Sequence, residues 1–206
     1  MNAKEKSVKK SSLNNLFTYI PPNKGAPRFR SGAASRGVIG KHLITPIAPV
    51  DIALTATPQP VLYWYISDSI DNALQLAIVN EDTGKFIAKV VLPGHYKRGI
   101  YHLDLKKKNI SLSAHVLYNW YVVIANNKIA KKTDALIQYN PLPGRLAKQA
   151  THSNLKQAKI FARTGYWYDA IATLGPLNSL QANNQRIHLF NQVELTDVAK
   201  YSEQIH

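Results

Sequence analysis

From His42 to about Tyr139 apolar residues recur at every second position, in short runs broken by turn residues, with no helical period between them. Each such run presents one apolar face, and a set of them buries those faces sheet against sheet. Val61-Leu62-Tyr63-Trp64-Tyr65-Ile66 is aromatic and β-branched and is bounded by Pro60 and Ser67-Asp68. Leu74, Leu76 and Ile78 alternate with Gln75, Ala77 and Val79. Asp82-Thr83-Gly84 supplies a turn, and Phe86, Ala88, Val90 and Leu92 resume the same period, which is the pattern of a hairpin. Pro93-Gly94 closes that strand. Tyr101, Leu103 and Leu105 alternate with His102 and Asp104, and Tyr118, Trp120, Val122 and Ile124 with Asn119, Tyr121 and Val123. Asn126-Asn127 reads as a turn and Asp134–Tyr139 as the last strand. Roughly seven or eight strands with no helix between them predict an antiparallel β-sandwich of immunoglobulin-like type over residues 42–140.

Pro141 and Pro143 mark a boundary, because proline breaks a ladder and starts a helix well. Beyond them the period becomes helical. Leu155, Ala158, Phe161 and Ala162 share a face, and Gly165 is placed to end that helix as a left-handed cap. Trp167, Ala170, Ile171 and Leu174 follow at helical spacing, and Gly175-Pro176 stops the second helix. A third helix over residues 180–193 has Ser179 as its N-cap, with Asn183 and Asn184 expected to interrupt it. The region 141–206 is therefore expected to be a helical hairpin region packed on the sandwich. Trp167 is expected to pin the hairpin to it.

The net charge of +14 is unevenly placed. Residues 1–41 hold nine Lys or Arg and one acid, so +8 of the total lies there, with Pro21-Pro22, Gly25, Pro27, Gly32, Gly37 and Gly40 interspersed. That composition predicts a basic flexible arm, which buries too little apolar surface to offset its ordering entropy. Phe17, Tyr19, Ile20 and Phe29 are the apolar anchors within it, and a short helix over residues 14–19 is conceivable. The absence of cysteine excludes disulfides and thiolate metal sites. No run is long and apolar enough for a membrane helix. Met1 to Ser12 is basic with no apolar stretch after it, so no intact signal peptide is read; the chain is either cytosolic or begins after a removed signal.

The spacing Ala158, Phe161, Gly165, Ala170, Leu174 resembles a single tetratricopeptide unit, with its proline displaced to Pro176. Three further stretches resemble a bacterial family, the domain-of-unknown-function 928 family. They are the Gly/Pro/Arg-rich lead-in from Gly25-Ala26-Pro27-Arg28 through Ser35-Arg36-Gly37, the strand Pro60-Val61-Leu62-Tyr63-Trp64-Tyr65, and Gly165-Tyr166-Trp167-Tyr168-Asp169-Ala170. A Tyr-x-Trp strand, Tyr118-Asn119-Trp120, lies between them, preceded by Ala114-His115 where relatives have Pro-Gly. The resemblance spans residues 25–175 and brings no activity with it. Members are typically exported, which implies a periplasmic or extracellular place.

Each of the three tryptophans has tyrosine neighbours, which suits either an aromatic platform or a core. Trp64 and Trp120 share faces with apolar neighbours and read as core. Tyr63 and Tyr65 occupy the opposite face of their strand; exposed, they make a candidate contact pair, and the alternative is that the helical hairpin covers them. His95, Tyr96, Lys97 and Arg98 fall in one loop and complete the candidate interaction surface. His102 and Asp104 share a strand face as a base–carboxylate arrangement or as plain surface alternation. The seven histidines show no compact metal spacing, and no nucleophile elbow, phosphate loop or dinucleotide fingerprint is present, so neither cofactor nor catalysis is expected. Lys106-Lys107-Lys108 and Lys131-Lys132 look like solvated hairpin ends. The expectation is a non-catalytic binding or scaffolding module of the bacterial cell envelope, with a protein or glycan partner. The alternative is a cytosolic protein whose basic arm binds nucleic acid.

Overall fold

The computed structural model describes residues 16–22, 43–125, 133–149 and 155–202. Eight strands form in this span: β1 (Ile44–Pro46), β2 (Ala53–Thr55), β3 (Val61–Ile66), β4 (Leu74–Asn80), β5 (Phe86–Leu92), β6 (Gly99–Asp104), β7 (Leu117–Ile124) and β8 (Asp134–Tyr139). They make two sheets, one of order β1-β3-β6 and one of order β2-β8-β7-β4-β5. The Asn126-Asn127 turn and the Lys131-Lys132 pair lie outside the described residues. Lys106–Lys108 form an exposed 3-10 turn after β6.

Side chains on the inward faces of β3, β4 and β7 are those the alternation predicts. Leu76 and Ile78 of β4 sit opposite Val122 and Trp120 of β7, and all four are buried. Trp64 of β3 pairs with Tyr101 of β6, and Trp64 and Trp120 are both core residues. Among the described strands the pairings are antiparallel with one exception, because β2 runs parallel to β8, with Ala53 opposite Ile137. This corrects the wholly antiparallel expectation. Residues 47–52 carry the chain from β1, an edge of one sheet, to an edge of the other, instead of folding it back on β1 in a hairpin.

The C-terminal region is helical: α1 (Gly144–Gln149), α2 (Leu155–Arg163), α3 (Trp167–Leu174), α4 (Leu180–Gln192) and α5 (Thr196–Ala199). Gly165 ends α2 at φ +86°, a conformation that costs glycine nothing and an L side chain a good deal. The Ser179 hydroxyl accepts from the Ala182 N–H and starts α4. Asn183 and Asn184 do not interrupt this helix. Asn183 is buried and accepts a hydrogen bond from the Ser202 hydroxyl, so tertiary contact overrides the weak local propensity. Arg186, also buried, donates to the carbonyls of Leu174, Leu177 and Ser202, tying the end of α3 to the chain beyond α5.

Helix α3 packs where the chain crosses between the sheets. Trp167 is fully buried and its indole N–H donates to the Ile47 carbonyl at 2.9 Å. The Trp120 indole donates to the Tyr168 hydroxyl at 2.8 Å, which itself donates to the Leu136 carbonyl at 3.0 Å. The Asp169 carboxylate accepts from the Ala56 N–H, and the Gly165 carbonyl from the Leu54 N–H. Sheets and helices share one buried apolar cluster.

The segment 16–22 also belongs to that cluster, which corrects the flexible-arm expectation for these residues. Phe17 and Tyr19 are buried among the helices, while Thr18 and Ile20 face out. Two rings at alternate positions anchor a segment whose overall composition argues for disorder. The described residues of the 14–19 stretch are not helical. The rest of the predicted arm lies outside the described residues.

Candidate interaction surface

The six residues read from the sequence do not form one exposed surface. Tyr63 and Tyr65 are each only 6% exposed. The helices return across this face of β3: a β-carbon on Gly175 would lie 2.7 Å from the Tyr63 hydroxyl, and the Tyr65 ring packs on Tyr201 at 5.2 Å. Burial pushes both phenols up to about 12. The contact pair expected there is therefore a helix–sheet seam. The 93–99 loop is exposed at His95, Lys97 and Arg98 and half-buried at Tyr96. The Tyr96 hydroxyl points at the Leu92 and Pro93 carbonyls, and its ring meets Tyr101 edge-on. His95 Nδ1 lies 3.3 Å from an Asp71 oxygen, both side chains being largely in solvent. Arg98 donates to the Ser67 carbonyl at 2.7 Å and to the Tyr201 hydroxyl at 3.0 Å. That engages its guanidinium in fastening the C-terminal segment to the sheet. Arg98 and Tyr65 thus converge on Tyr201, while His95 and Lys97 stay apart from them.

A different surface emerges at β5, the last strand of the five-stranded sheet. Its register with β4 places Val91 beside Gln75 and Lys89 beside Ala77 on the outward face. A bulge then shifts the pairing so that Phe86 sits opposite Val79, which also faces outward. The sequence period puts Phe86 with Ala88, Val90 and Leu92 on the inward face; the extra residue in the bulge reverses it. Phe86, Ile87 and Val91 are 49%, 39% and 59% exposed. The Lys89 ammonium stands 3.7 Å from the centre of the Phe86 ring, a cation–π contact. Behind them, Tyr121 and Val123 of β7 share this outward face, as does Leu136 of β8. Asn119 on the same face donates to Asp134 at 2.6 Å.

An outward sheet face is ordinarily polar, so this apolar strip is the feature to explain. The signal in the sequence was Phe86-Ile87-Ala88-Lys89-Val90-Val91-Leu92, apolar on both faces apart from Lys89. An edge strand of this kind can accept a further strand through its backbone, with outward side chains selecting the incomer. The described residues contain no group of three or more His, Asp or Glu placed to hold a metal ion. No helix among them is long and apolar enough to cross a membrane. His102 and Asp104 do lie on one face of β6; the His102 ring packs over Tyr63 at 5.5 Å, and Asp104 accepts from the Lys106 N–H.

No curated protein matches the sequence. Among solved structures, the apo form of Bacteroides uniformis β-glucuronidase 3 is similar at 11% identity and a TM-score of 0.28, over 79% of this chain and 26% of that one. This chain thus spans about a quarter of that enzyme's length, and so slight a likeness carries no argument about either fold or activity. The Tyr-Trp-Tyr strand, the capped α2–α3 hairpin and the Ser35-Arg36-Gly37 end of the lead-in fall within one family match, described as Domain of Unknown Function (DUF928) and covering residues 31–203, and the chain belongs to that family.

Proposed function

We propose that this protein is a non-catalytic binding module of the bacterial cell envelope, and that β5 is the strand it offers to a protein partner. The observation that carries the reading is the exposure of Phe86, Ile87 and Val91 on a proline-free edge strand of seven residues. The partner this edge suits is an extended segment with apolar side chains at alternate positions and an acid facing Lys89. Two copies paired antiparallel about Lys89 would set lysine against lysine, which favours a different protein over self-association. Export, typical of the family, supports the envelope location. Outside the cytoplasm, a chain of net charge +14 meets acidic partners, acidic glycans and anionic headgroups.

We also read the two sheets as an immunoglobulin-like sandwich. The orders β1-β3-β6 and β8-β7-β4-β5 correspond to the A-B-E and G-F-C-C′ sheets of that architecture, with β2 as the parallel edge on the last strand. The Tyr118 hydroxyl near the start of β7 accepts from the Ser113 N–H at 3.1 Å, in the manner of a tyrosine corner.

The test is cell fractionation with native electrophoresis. Wild-type protein should migrate in the envelope fraction as a species larger than the free chain. Ile87→Lys and Val91→Lys should release the free chain while leaving the melting temperature unchanged. A cytoplasmic, nuclease-sensitive complex would instead support the nucleic-acid reading and overturn this one.

A further inference from the structure

Residues 16–22 lie against the helical layer as a bound peptide lies in a receptor groove. The Phe17 N–H donates to the Gln185 side-chain oxygen at 2.8 Å, and the Tyr19 N–H to that of Gln192 at 2.9 Å. Both glutamines belong to α4, two turns apart on one face. The Ile20 N–H donates to the Ala162 carbonyl at the end of α2. Pro22 lies against Gly165, where an added β-carbon would come within 3.1 Å. Phe17 and Tyr19 fill the groove and Thr18 and Ile20 point away, an alternation that places specificity in the first pair. The Tyr19 ring meets Trp167 edge-on at 5.0 Å.

Two observations show that the chain's own segment is an imperfect occupant. The Tyr19 hydroxyl is buried without a hydrogen-bond partner among the described residues, and burial pushes its pKa well above the ordinary phenol value. An orphaned buried hydroxyl lowers the affinity of whatever carries it. The charges also mismatch. The segment ends against the terminus of α2, a helix that carries Lys159 and Arg163 and no acid, while the sequence beside the segment is itself basic at Lys9, Lys10, Lys24 and Arg28.

We infer that the groove between α2, α3 and α4 is a peptide-recognition site closed by the chain's own residues 16–22, and that its partner is an extended acidic-flanked segment of another protein with two aromatic side chains two residues apart, the second lacking a hydroxyl. The site lies on the helical layer, independent of β5. A tethered occupant competes at an effective concentration on the order of millimolar, so an incoming segment must fit better than the resident one. Loss of the hydroxyl and reversal of the flanking charge are the two improvements the groove calls for.

The probe is a labelled synthetic peptide, Asp-Asp-Leu-Phe-Thr-Phe-Ile-Pro-Pro-Asp-Asp, titrated by fluorescence anisotropy into the full chain. Phe17→Ser in the chain loosens the resident segment and should tighten peptide binding about tenfold or more. Tyr19→Phe strengthens the resident segment and should weaken it. The same peptide with lysine flanks should bind less well to every variant. Equal binding to wild type, Phe17→Ser and Tyr19→Phe overturns the groove assignment. Equal binding of acidic and lysine-flanked peptides overturns the partner chemistry. Amide exchange on the wild-type chain decides the matter even if Phe17→Ser fails to fold. The Phe17, Tyr19 and Ile20 amides should exchange by local opening, faster than those of α3. Exchange only through global unfolding would show that the segment is a fixed part of the core.

Discussion

Trp167 joins three parts of the molecule through one ring. It is buried on the apolar face of α3, its indole N–H holds the Ile47 carbonyl at the crossing between sheets, and Tyr19 packs on its face. Trp167→Ala should cost about 3–5 kcal/mol in chemical unfolding, because a ring-sized cavity adds to the lost transfer energy. Near-wild-type stability would contradict the packing described. This role was legible in the sequence: the helical spacing of Trp167, Ala170, Ile171 and Leu174 put the ring on the buried face. Asp169 was not legible, since its partner Ala56 lies far away in sequence. Its pKa is raised from 3.8 to about 7, chiefly by burial, with the Ala56 and Asp169 N–H groups and the Thr55 hydroxyl opposing the shift. A carboxyl whose folded pKa is raised stabilises the fold fully below its unfolded pKa, and that contribution is lost as pH rises through the folded value. Stability should therefore fall from this source between about pH 4 and pH 7. Asp169→Asn keeps an acceptor for the Ala56 N–H and loses the titration. The stability difference between variant and wild type should shift in the variant's favour across that window. Parallel curves from denaturant melts at several pH values would refute the assignment.

At the scale of elements, β3, β4, β6, β7 and β8 follow from period-two alternation, and α2 to α4 from helical spacing with Gly165 and Ser179 as terminators. What the pattern could not supply was anything decided by a distant neighbour. Tyr63 and Tyr65 look like outward residues along β3, and only the return of the helices over that face buries them. Phe86 looks inward along β5, and only the bulge beside Ile87 turns it out. The segment 16–22 looks like arm, because two aromatic residues stabilise nothing until a groove receives them. His115 shows the same effect in a turn: it adopts φ +64°, with its N–H held by the Tyr139 carbonyl. Gly165 offers a direct test of how these elements interlock. It caps α2, accepts from the Leu54 N–H of β2 and packs on Pro22. Gly165→Ala strains a positive φ and crowds Pro22, and should cost about 1–3 kcal/mol. The check is a lowered urea midpoint at unchanged slope; an unchanged midpoint would mean that the α2–α3 turn relaxes freely.

For the whole molecule, these contacts make the helices part of the sheet structure, since α3 touches the inter-sheet crossing, β7 through Trp120, and the segment 16–22 at once. That arrangement covers one face of β3 and leaves β5 as an apolar strand turned to solvent. Formal charge adds a bias toward acidic partners without naming one. A partner is proposed to dock at the β5 edge. Site-specific photo-crosslinking in the native host tests it most directly, with a photoreactive residue at Val91 on the edge and, as control, at exposed Lys107 in the turn after β6. Docking at β5 predicts one discrete adduct from Val91, lost when Ile87→Lys is added, and none from Lys107. Adducts of the same size from both positions, or none from Val91, would contradict it.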